Sequence, residues 1–351
     1  MFGLFKSNGN LGIDIGTASI KIVELEKQGA RKGLINYGLF ELKGASSNTD
    51  GKTGILNLPD GDIVWGIKEV ISKAKIKAKD VIASIPAFST FSTIIEMPYL
   101  SEADLAKSIP FEAKKYVPVP LNEVILDWSI IGTKTPEPGK PATVEIFLAS
   151  VPKDETERYQ RIMQNAGLSL KAIELENSAL TRSLLGNDLS PAAIVNIGGR
   201  STSILIADKG YERINHNYEV GGFEITKSIA KSLNISLEKA EDLKKKFGLT
   251  ESDENIINEA MIHLIDMMAF ETKKTISAYE EKTKQKILKV ILVGGMVNMP
   301  NFAEYFKQKL GLQTIIGNPM ARIVYPQTLT PVLPELSSTF AVALGLAMRE
   351  I

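Results

Sequence analysis

Several kinds of residue are absent from this chain or rare in it, and each absence excludes a class of site. The 351-residue sequence contains no cysteine, which excludes disulfide bonds, cysteine-ligated zinc, iron–sulfur clusters and cysteine nucleophiles. Only two histidines are present, His216 and His263. A histidine-rich metal site and Ser-His-Asp catalysis are therefore not expected. A chain without cysteine is predicted to be cytoplasmic.

Long hydrophobic runs and an excess of one charge sign are also missing. No apolar run approaches the roughly 20 residues that a membrane-spanning helix needs. The 41 basic residues balance the 41 acidic ones, so the formal net charge is zero. This balance argues against binding of nucleic acid or of an anionic membrane through bulk charge. We therefore expect no nucleic-acid partner, and contact with a membrane only through a partner protein.

What is present is an ordinary globular composition with strands and helices in alternation. At roughly 150 residues per domain, the length predicts about two domains. Apolar residues predict strands over 11–15 and 20–25, on either side of a turn of small residues. Apolar positions three or four residues apart predict an amphipathic helix over 60–75. The predicted fold class is α/β.

Residues 80–170 have a different pattern and predict an inserted α+β subdomain. Their order is strand, strand, helix, strand, strand, helix, with the first helix beginning at Ser101 and the second ending at Gly167. Pro110 falls within the first of these helices and is expected to kink it.

The strongest signal within the sequence is an internal repeat. Residues 13–20 read Ile-Asp-Ile-Gly-Thr-Ala-Ser-Ile, and residues 195–204 read Val-Asn-Ile-Gly-Gly-Arg-Ser-Thr-Ser-Ile. Asp14 and Asn196 occupy equivalent positions in the two copies, each of which predicts a strand, a small-residue turn and a second strand. Such turns let backbone N–H groups approach a phosphate closely. Two hairpins facing each other predict a site that binds one polyphosphate from both sides.

Two further features favour a nucleotide site. Lys21 lies seven residues after Asp14, so pairing of the two strands would bring its ammonium to the same turn. A solvated strand lysine is the alternative interpretation. A buried strand over 290–293 ends in Gly294 and Gly295, where the backbone could lie flat against a base or ribose. An ordinary tight turn is the alternative there.

A third glycine-rich segment is excluded as a phosphate site. Gly44 to Thr53 superficially resembles a P-loop, but six residues separate Gly44 from Gly51 instead of four. No apolar strand leads into Gly44, so a surface loop is predicted.

These segments resemble the phosphate-1, phosphate-2 and adenosine motifs of the actin-like ATPase superfamily, at residues 14–21, 196–203 and 292–295. The closer resemblance is to the PilM family of type IV pilus assembly proteins, which is similar to the cell-division protein FtsA. The resemblance to this family covers nearly the whole chain. The segments that carry it are 20–25, 111–118, 174–182, 220–226, 317–322 and 340–347.

The resemblance implies an actin-like ATPase fold, with two duplicated ribonuclease-H-like halves and an inserted α+β subdomain. The expected boundaries are 1–79 for the first half, 80–170 for the insertion, 171–190 for a return to the first half, 191–318 for the second half and 319–351 for a C-terminal return to the first half.

It also implies that ATP and Mg²⁺ bind between the halves. The expected nucleotide-binding residues are Gly16, Thr17, Ala18 and Lys21 in phosphate-1, Gly198, Gly199, Ser201 and Thr202 in phosphate-2, Gly294 and Gly295 in the adenosine motif, and Glu241 and Lys244 on a helix beside ribose and adenine. Asp14 would hold the magnesium ion through water. Glu176, in the connecting segment, and Asn196 would help to place the attacking water.

The resemblance implies a scaffold that is peripheral to the inner membrane through its partner. That partner would be the short N-terminus of a PilN-like membrane protein, bound as an extended peptide near the insertion. Other pilus assembly proteins and further copies of the chain are additional expected partners. Asn196 replaces the usual aspartate of phosphate-2, so hydrolysis is expected to be slow or absent.

Three alternatives stay open from the sequence: an FtsA-like protein, a filament-forming cytoskeletal ATPase, and a small-molecule kinase of the same superfold. FtsA relatives continue into a linker and an amphipathic membrane helix, whereas this chain ends three residues after its last predicted helix. That difference favours PilM. No acidic base for a kinase substrate is found, which disfavours the kinase.

Overall fold

The computed structural model describes residues 10–42, 58–134, 141–250 and 255–350. The first nine residues and the whole of the excluded P-loop-like segment, Gly44 to Thr53, lie outside this part of the chain.

The strands are β1 (Asn10–Ile15), β2 (Ser19–Gln28), β3 (Arg31–Glu41), β4 (Asp80–Ile85), β5 (Phe91–Pro98), β6 (Val124–Lys134), β7 (Thr143–Pro152), β8 (Ser169–Leu175), β9 (Ala192–Ile197), β10 (Thr202–Asp208), β11 (Tyr211–Tyr218), β12 (Val290–Val293) and β13 (Thr314–Ile316). The α-helices are α1 (Asp60–Lys73), α2 (Glu102–Ala113), α3 (Lys153–Asn165), α4 (Glu176–Leu184), α5 (Gly222–Leu233), α6 (Leu237–Phe247), α7 (Asn255–Thr283), α8 (Phe302–Leu310), α9 (Leu333–Thr339) and α10 (Ala341–Ala347).

Two five-stranded sheets repeat the same topology. The first has the order β3-β2-β1-β4-β8 and the second has the order β11-β10-β9-β12-β13. In each sheet the first three strands form an antiparallel meander, and the last two are parallel to the central strand. The central strands β1 and β9 are almost entirely buried, as expected for strands covered on both faces. The duplicated α/β fold is thereby confirmed.

The chain returns to the first half through α10, which is buried along its whole length. Small residues let this helix pack closely against its neighbours. A Cβ on Gly345 would lie 2.0 Å from the carbonyl oxygen of Ala179 on α4, and a Cβ on Gly12 would lie 2.0 Å from that of Ala343. Glycine at both positions therefore brings β1, α4 and α10 into direct backbone contact.

The insertion has its own sheet and its own small core. The order is β5-β7-β6, and apolar residues of this sheet pack on Leu105 and Ile109 of α2, which continues through Pro110. The separate subdomain is narrower than the expected 80–170, because β4 pairs with β1 in the first sheet. The apolar face of α3 likewise packs into the core of the first half.

Among the described residues, no single helix is both long and apolar enough to cross a membrane. One pair, Gln327–Thr339 and Ala341–Ala347, meets the length and composition criteria together, but it is bent by 89°. Its second member is the buried core helix α10.

Candidate functional site

The two predicted hairpins have the same local geometry. The backbone N–H of Gly16 donates to the carbonyl of Ser19 at 2.9 Å, and that of Gly198 donates to the carbonyl of Ser201 at the same distance. Asp14 lies opposite Lys21 in the β1–β2 ladder, and Asn196 lies opposite Ser203 in the β9–β10 ladder. The sequence equivalence of Asp14 and Asn196 is therefore also a structural equivalence.

The hairpins meet face to face across the space between the halves. A Cβ built on Gly199 would lie 2.5 Å from the Cβ of Ala18, a separation that side chains do not adopt. Glycine at position 199 thus allows the backbones of the two turns to approach one another. The turns form one wall of a cleft of about 940 Å³, which is large enough for a ligand the size of a nucleotide.

Asp14 lies at the end of β1, at the bottom of this cleft, and is 8% exposed. Its Oδ2 is 3.0 Å from the Nζ of Lys21, and its Oδ1 accepts a hydrogen bond of 3.1 Å from the hydroxyl of Ser84 on β4. Both carboxylate oxygens therefore have partners, which fixes the orientation of the side chain.

Glu176 begins α4, the helix that leads toward the second half, and is half-buried in the cleft. The side-chain amide of Asn196 donates to its Oε1, and the backbone N–H of Ala87 donates to its Oε2 at 3.4 Å. Burial and then the negative charge of Asp14 raise the pKa of Glu176 to about 7, although the two donors and Lys21 favour the ionised form.

Glu241 and Lys244 face the cleft from α6. The ammonium of Lys244 is buried, and it donates to the carbonyl of Gly222 at 3.0 Å, to the hydroxyl of Thr226 at 2.8 Å and to the carboxylate of Glu241 at 2.6 Å. Burial favours the protonated form of Glu241, but the charge of Lys244, the hydrogen bonds from Lys244 and Thr226 and the charge of Lys245 together outweigh it, and the pKa of Glu241 is lowered. The pair is thus a fixed ionic contact at the cleft wall.

The Gly294–Gly295 turn lines the cleft next to the second hairpin. Gly294 has a φ of +98° and donates its N–H to the carbonyl of Ser338 at 2.9 Å. A Cβ at this position would lie 2.2 Å from the carbonyl oxygen of Ile197. Gly295 has open space where its side chain would be, so a flat group can lie against its backbone.

All of the predicted site residues except Thr202 line this one cleft: Asp14, Gly16, Thr17, Ala18, Lys21, Glu176, Asn196, Gly198, Gly199, Ser201, Glu241, Lys244, Gly294 and Gly295. The side chain of Thr202 is fully buried, and its hydroxyl donates to the carbonyl of Val220 at 2.7 Å. Within the described ranges, no group of three or more His, Asp or Glu residues is arranged to hold a metal ion.

Several residues that line the cleft, or contact a residue that lines it, lie outside the motifs of the sequence. Ser84 lies 70 residues after Asp14 and contacts it only because β4 runs parallel to β1. Its one local signal is a hydroxyl within the otherwise apolar run 81–85. Ser338 and Asn298 are hydrogen-bonded to each other at 2.9 Å on the side of the Gly294–Gly295 turn. No motif marks either of them.

Residues 12–351 match the family model described as "Type IV pilus assembly protein PilM". The chain belongs to the PilM family. The match includes both hairpins, the insertion and the Gly294–Gly295 turn, so the resemblance inferred from the motifs is confirmed.

This PilM-family chain is similar in sequence to FtsA. The cell division protein FtsA of Enterococcus hirae is 26% identical to this chain over 278 residues, which cover 72% of this chain and 61% of FtsA. The chain therefore spans about three-fifths of the length of the FtsA relatives that it matches first.

Solved structures establish the actin-like fold of this PilM-family chain. A PilM–PilN type IV pilus biogenesis complex superimposes with a TM-score of 0.81 at 21% identity, covering 97% of this chain and 98% of the other. MreB5 of Spiroplasma citri bound to ADP superimposes with a TM-score of 0.54 at 14% identity, covering 96% and 94%. At these identities the agreement concerns the fold, and it confirms the expected actin-like architecture.

The PilM-family chain has a second cavity, of about 780 Å³, where the insertion meets the two halves. We call it the edge groove, because one edge strand of each of the three sheets contributes to it. These contributions are residues 125–129 of β6, 173–175 of β8 and 211–212 of β11. Adjacent side chains on a strand point to opposite faces. Phe147, Ala149 and Val151, at every second position of the central strand β7, also line it, so the groove covers one face of the insertion sheet and extends around the edge strand β6.

Proposed function

We propose that this chain is an actin-like scaffold of type IV pilus assembly on the cytoplasmic side of the inner membrane. In this proposal it binds ATP with Mg²⁺ in the cleft, docks the N-terminal peptide of a PilN-like membrane protein in the edge groove, and hydrolyses ATP slowly or not at all. The observation that carries the proposal is the pair of duplicated hairpins in contact at Ala18 and Gly199.

A triphosphate fits between these hairpins because of the residues present there. Glycines 16, 198 and 199 leave the turn backbone accessible, and the Lys21 ammonium supplies positive charge beside them. The Gly294–Gly295 turn offers a flat backbone surface in the same cleft, next to the second hairpin. A base or ribose can lie against this turn while the phosphates contact the hairpins.

Asp14 is the residue that would hold Mg²⁺, through water. Mg²⁺ retains several water ligands and takes few direct carboxylates, which suits one aspartate next to phosphate oxygens. When bound, the ion would neutralise phosphate charge. Hydrogen bonds from Ser84 and Lys21 fix the orientation of the Asp14 carboxylate in the cleft.

The surroundings of Glu176 support slow hydrolysis. A carboxyl with a pKa near 7 is protonated in about half of the molecules at neutral pH, and only the ionised half can accept a proton from water, which by itself slows hydrolysis about twofold. Asn196 carries no charge and donates its amide to Glu176 instead of polarising water. Nucleotide contacts from backbone N–H groups are unaffected by either feature, so binding is retained.

The edge groove supports docking of an extended peptide. Free strand edges present unpaired N–H and C=O groups, to which a peptide can add as a further strand. Apolar side chains such as Ile125, Phe147 and Ile173 also line the groove and can hold alternate peptide side chains. The PilN named in the similar PilM–PilN structure supports a PilN-like protein as the source of this peptide.

A peptide pull-down tests the docking, and two further assays test the nucleotide site. An immobilised N-terminal peptide of the PilN protein from the same organism should retain the full chain. Calorimetry should show Mg·ATP binding, and phosphate release should be slow. Failure to bind either ligand contradicts the proposal. A readily measurable turnover that Asn196→Asp leaves unchanged would contradict the role given to Asn196.

A further inference from the structure

A chain of polar side chains connects the nucleotide cleft to the edge groove. Ser203 lines the cleft, and its hydroxyl donates to the Oδ1 of Asn177 at 3.3 Å. The amide of Asn177 donates to the Oε2 of Glu212 at 2.7 Å, and Glu212 lines the groove. Ser203 and Asn177 are buried, and Glu212 is half-buried. Three hydrogen-bonded side chains therefore connect one cavity to the other.

Glu212 also connects three parts of the fold. It lies on β11 of the second half, and its Oε2 accepts from Asn177 on α4. Its Oε1 accepts from the hydroxyl of Ser92 on β5 of the insertion. Each oxygen of this carboxylate thus has a partner from a different part of the chain. Loss of either bond leaves a poorly solvated carboxylate oxygen without its donor, which is unfavourable.

The cleft end of this connection lies beside the predicted catalytic residues. Asn177 directly follows Glu176 in α4, and Ser203 lies opposite Asn196 in the β9–β10 ladder. A shift of Glu212 relative to α4 therefore acts on the two residues that contact each other in the cleft, Glu176 and Asn196.

We propose that Glu212, held by Ser92 and Asn177, couples peptide binding in the edge groove to nucleotide binding in the cleft. This inference rests on the proposed function of the two cavities. A peptide in the groove contacts the insertion and both halves at once, and a nucleotide in the cleft contacts the hairpins of both halves. Both ligands favour the arrangement in which these parts are held together. The coupling is therefore positive, and it is reciprocal by thermodynamic linkage.

Calorimetry on the full chain tests the coupling. The affinity for AMPPNP with Mg²⁺ is measured with and without a saturating N-terminal peptide of the PilN protein from the same organism. We expect the peptide to tighten nucleotide binding at least about fivefold, and the nucleotide to tighten peptide binding by the same factor. The coupling ratio is the nucleotide affinity with the peptide divided by the affinity without it. If both ligands bind and this ratio is one, the coupling is refuted while the proposed function stands. If the peptide does not bind, docking and coupling both fail.

The variant Ser92→Ala tests whether Glu212 carries the coupling. It removes a hydrogen bond to Glu212 without changing either binding surface, because Ser92 lines neither cavity. In this variant both ligands should still bind, with the ratio reduced toward one. Ser92→Thr keeps the hydroxyl and should restore the ratio. Ser108→Ala, the same chemical change on α2 of the insertion, should leave the wild-type ratio. A wild-type ratio in Ser92→Ala would overturn the role of this network, and thermal unfolding of each variant confirms that it is folded.

Discussion

At the scale of single residues, the chemistry of the cleft depends on which charges face one another. Asp14 and Lys21 form a pair 3.0 Å apart, and both side chains are mostly shielded from water. A triphosphate entering the cleft places further negative charge beside this pair. Lys21 is then the nearest cation on the first hairpin, and it can interact with the phosphate as well as with Asp14.

Lys21→Ala should therefore weaken ATP binding. Loss of a charge-assisted contact costs roughly 1.5–3 kcal/mol, which corresponds to about a 10- to 150-fold rise in the dissociation constant. Calorimetric titration with Mg·ATP measures the change. Lys27→Ala, at an exposed lysine on the same strand, is the matched control and should bind as the wild type does. Equal affinities of Lys21→Ala and the wild type would remove Lys21 from the site.

Glu176 should make the stability of the protein depend on pH. The folded carboxyl keeps its proton up to about pH 7, whereas an unfolded one releases it near pH 4.3. The unfolded state therefore binds fewer protons between these values, and stability falls as the pH rises through this window. The loss is at most about 4 kcal/mol, and it is smaller to the extent that water reaches Glu176 through the cleft.

Glu176→Gln removes this titration. Its unfolding free energy in urea, minus that of the wild type, should be more positive at pH 8 than at pH 5. Glu26→Gln, at an exposed position on β2, should show no such change with pH. Parallel pH profiles for Glu176→Gln and the wild type would contradict the raised pKa.

At the scale of elements, the free edge of β6 decides what the groove can bind. Ile125 and Ile130 lie on this strand and are 45% and 44% exposed, but only Ile125 lines the groove. Ile130 therefore provides a control of the same residue type, on the same strand and with the same exposure.

Ile125→Asp should weaken binding of the PilN-like peptide at least about tenfold. The substitution places a charge where an apolar peptide side chain would be buried. Ile130→Asp should bind the peptide with wild-type affinity. Fluorescence anisotropy of a labelled peptide measures both affinities, and equal losses in the two variants would place the docking site elsewhere.

At the scale of the whole molecule, the two halves meet where Gly199 faces Ala18. A Cβ at position 199 would be 2.5 Å from that of Ala18, and neither backbone can move without displacing its whole hairpin. Closure of the cleft therefore depends on a contact between parts of the chain that are 181 residues apart in sequence.

Gly199→Ala should separate the hairpins and lower nucleotide affinity at least about tenfold, while each half keeps its own core. In the wild type, nucleotide at 100 times its dissociation constant should stabilise the fold by about 2.7 kcal/mol. The variant should lose at least about half of this stabilisation at the same nucleotide concentration, as measured by thermal unfolding. Gly61→Ala, at a helical glycine with open space around it, should behave as the wild type. A wild-type response from Gly199→Ala would show that the hairpins need not touch.

The local sequence by itself determined the elements of the site. The small-residue turns at 16–18 and 198–201, the equivalence of Asp14 and Asn196, and the buried strand ending at Gly294 all follow from patterns within a few residues. Short-range patterns are sufficient here because each hairpin is held by its own backbone bonds, such as that from Gly16 to Ser19.

Only the tertiary structure decided which of these elements meet. Ser84 contacts Asp14 through the parallel pairing of β4 with β1, and Ser92 contacts Glu212 across 120 residues of sequence. The β4 strand and α3 join the first half and not the insertion, because their apolar faces pack into the core of that half. Such contacts depend on how sheets and helices pack on one another over long sequence separations, which patterns confined to one segment do not encode.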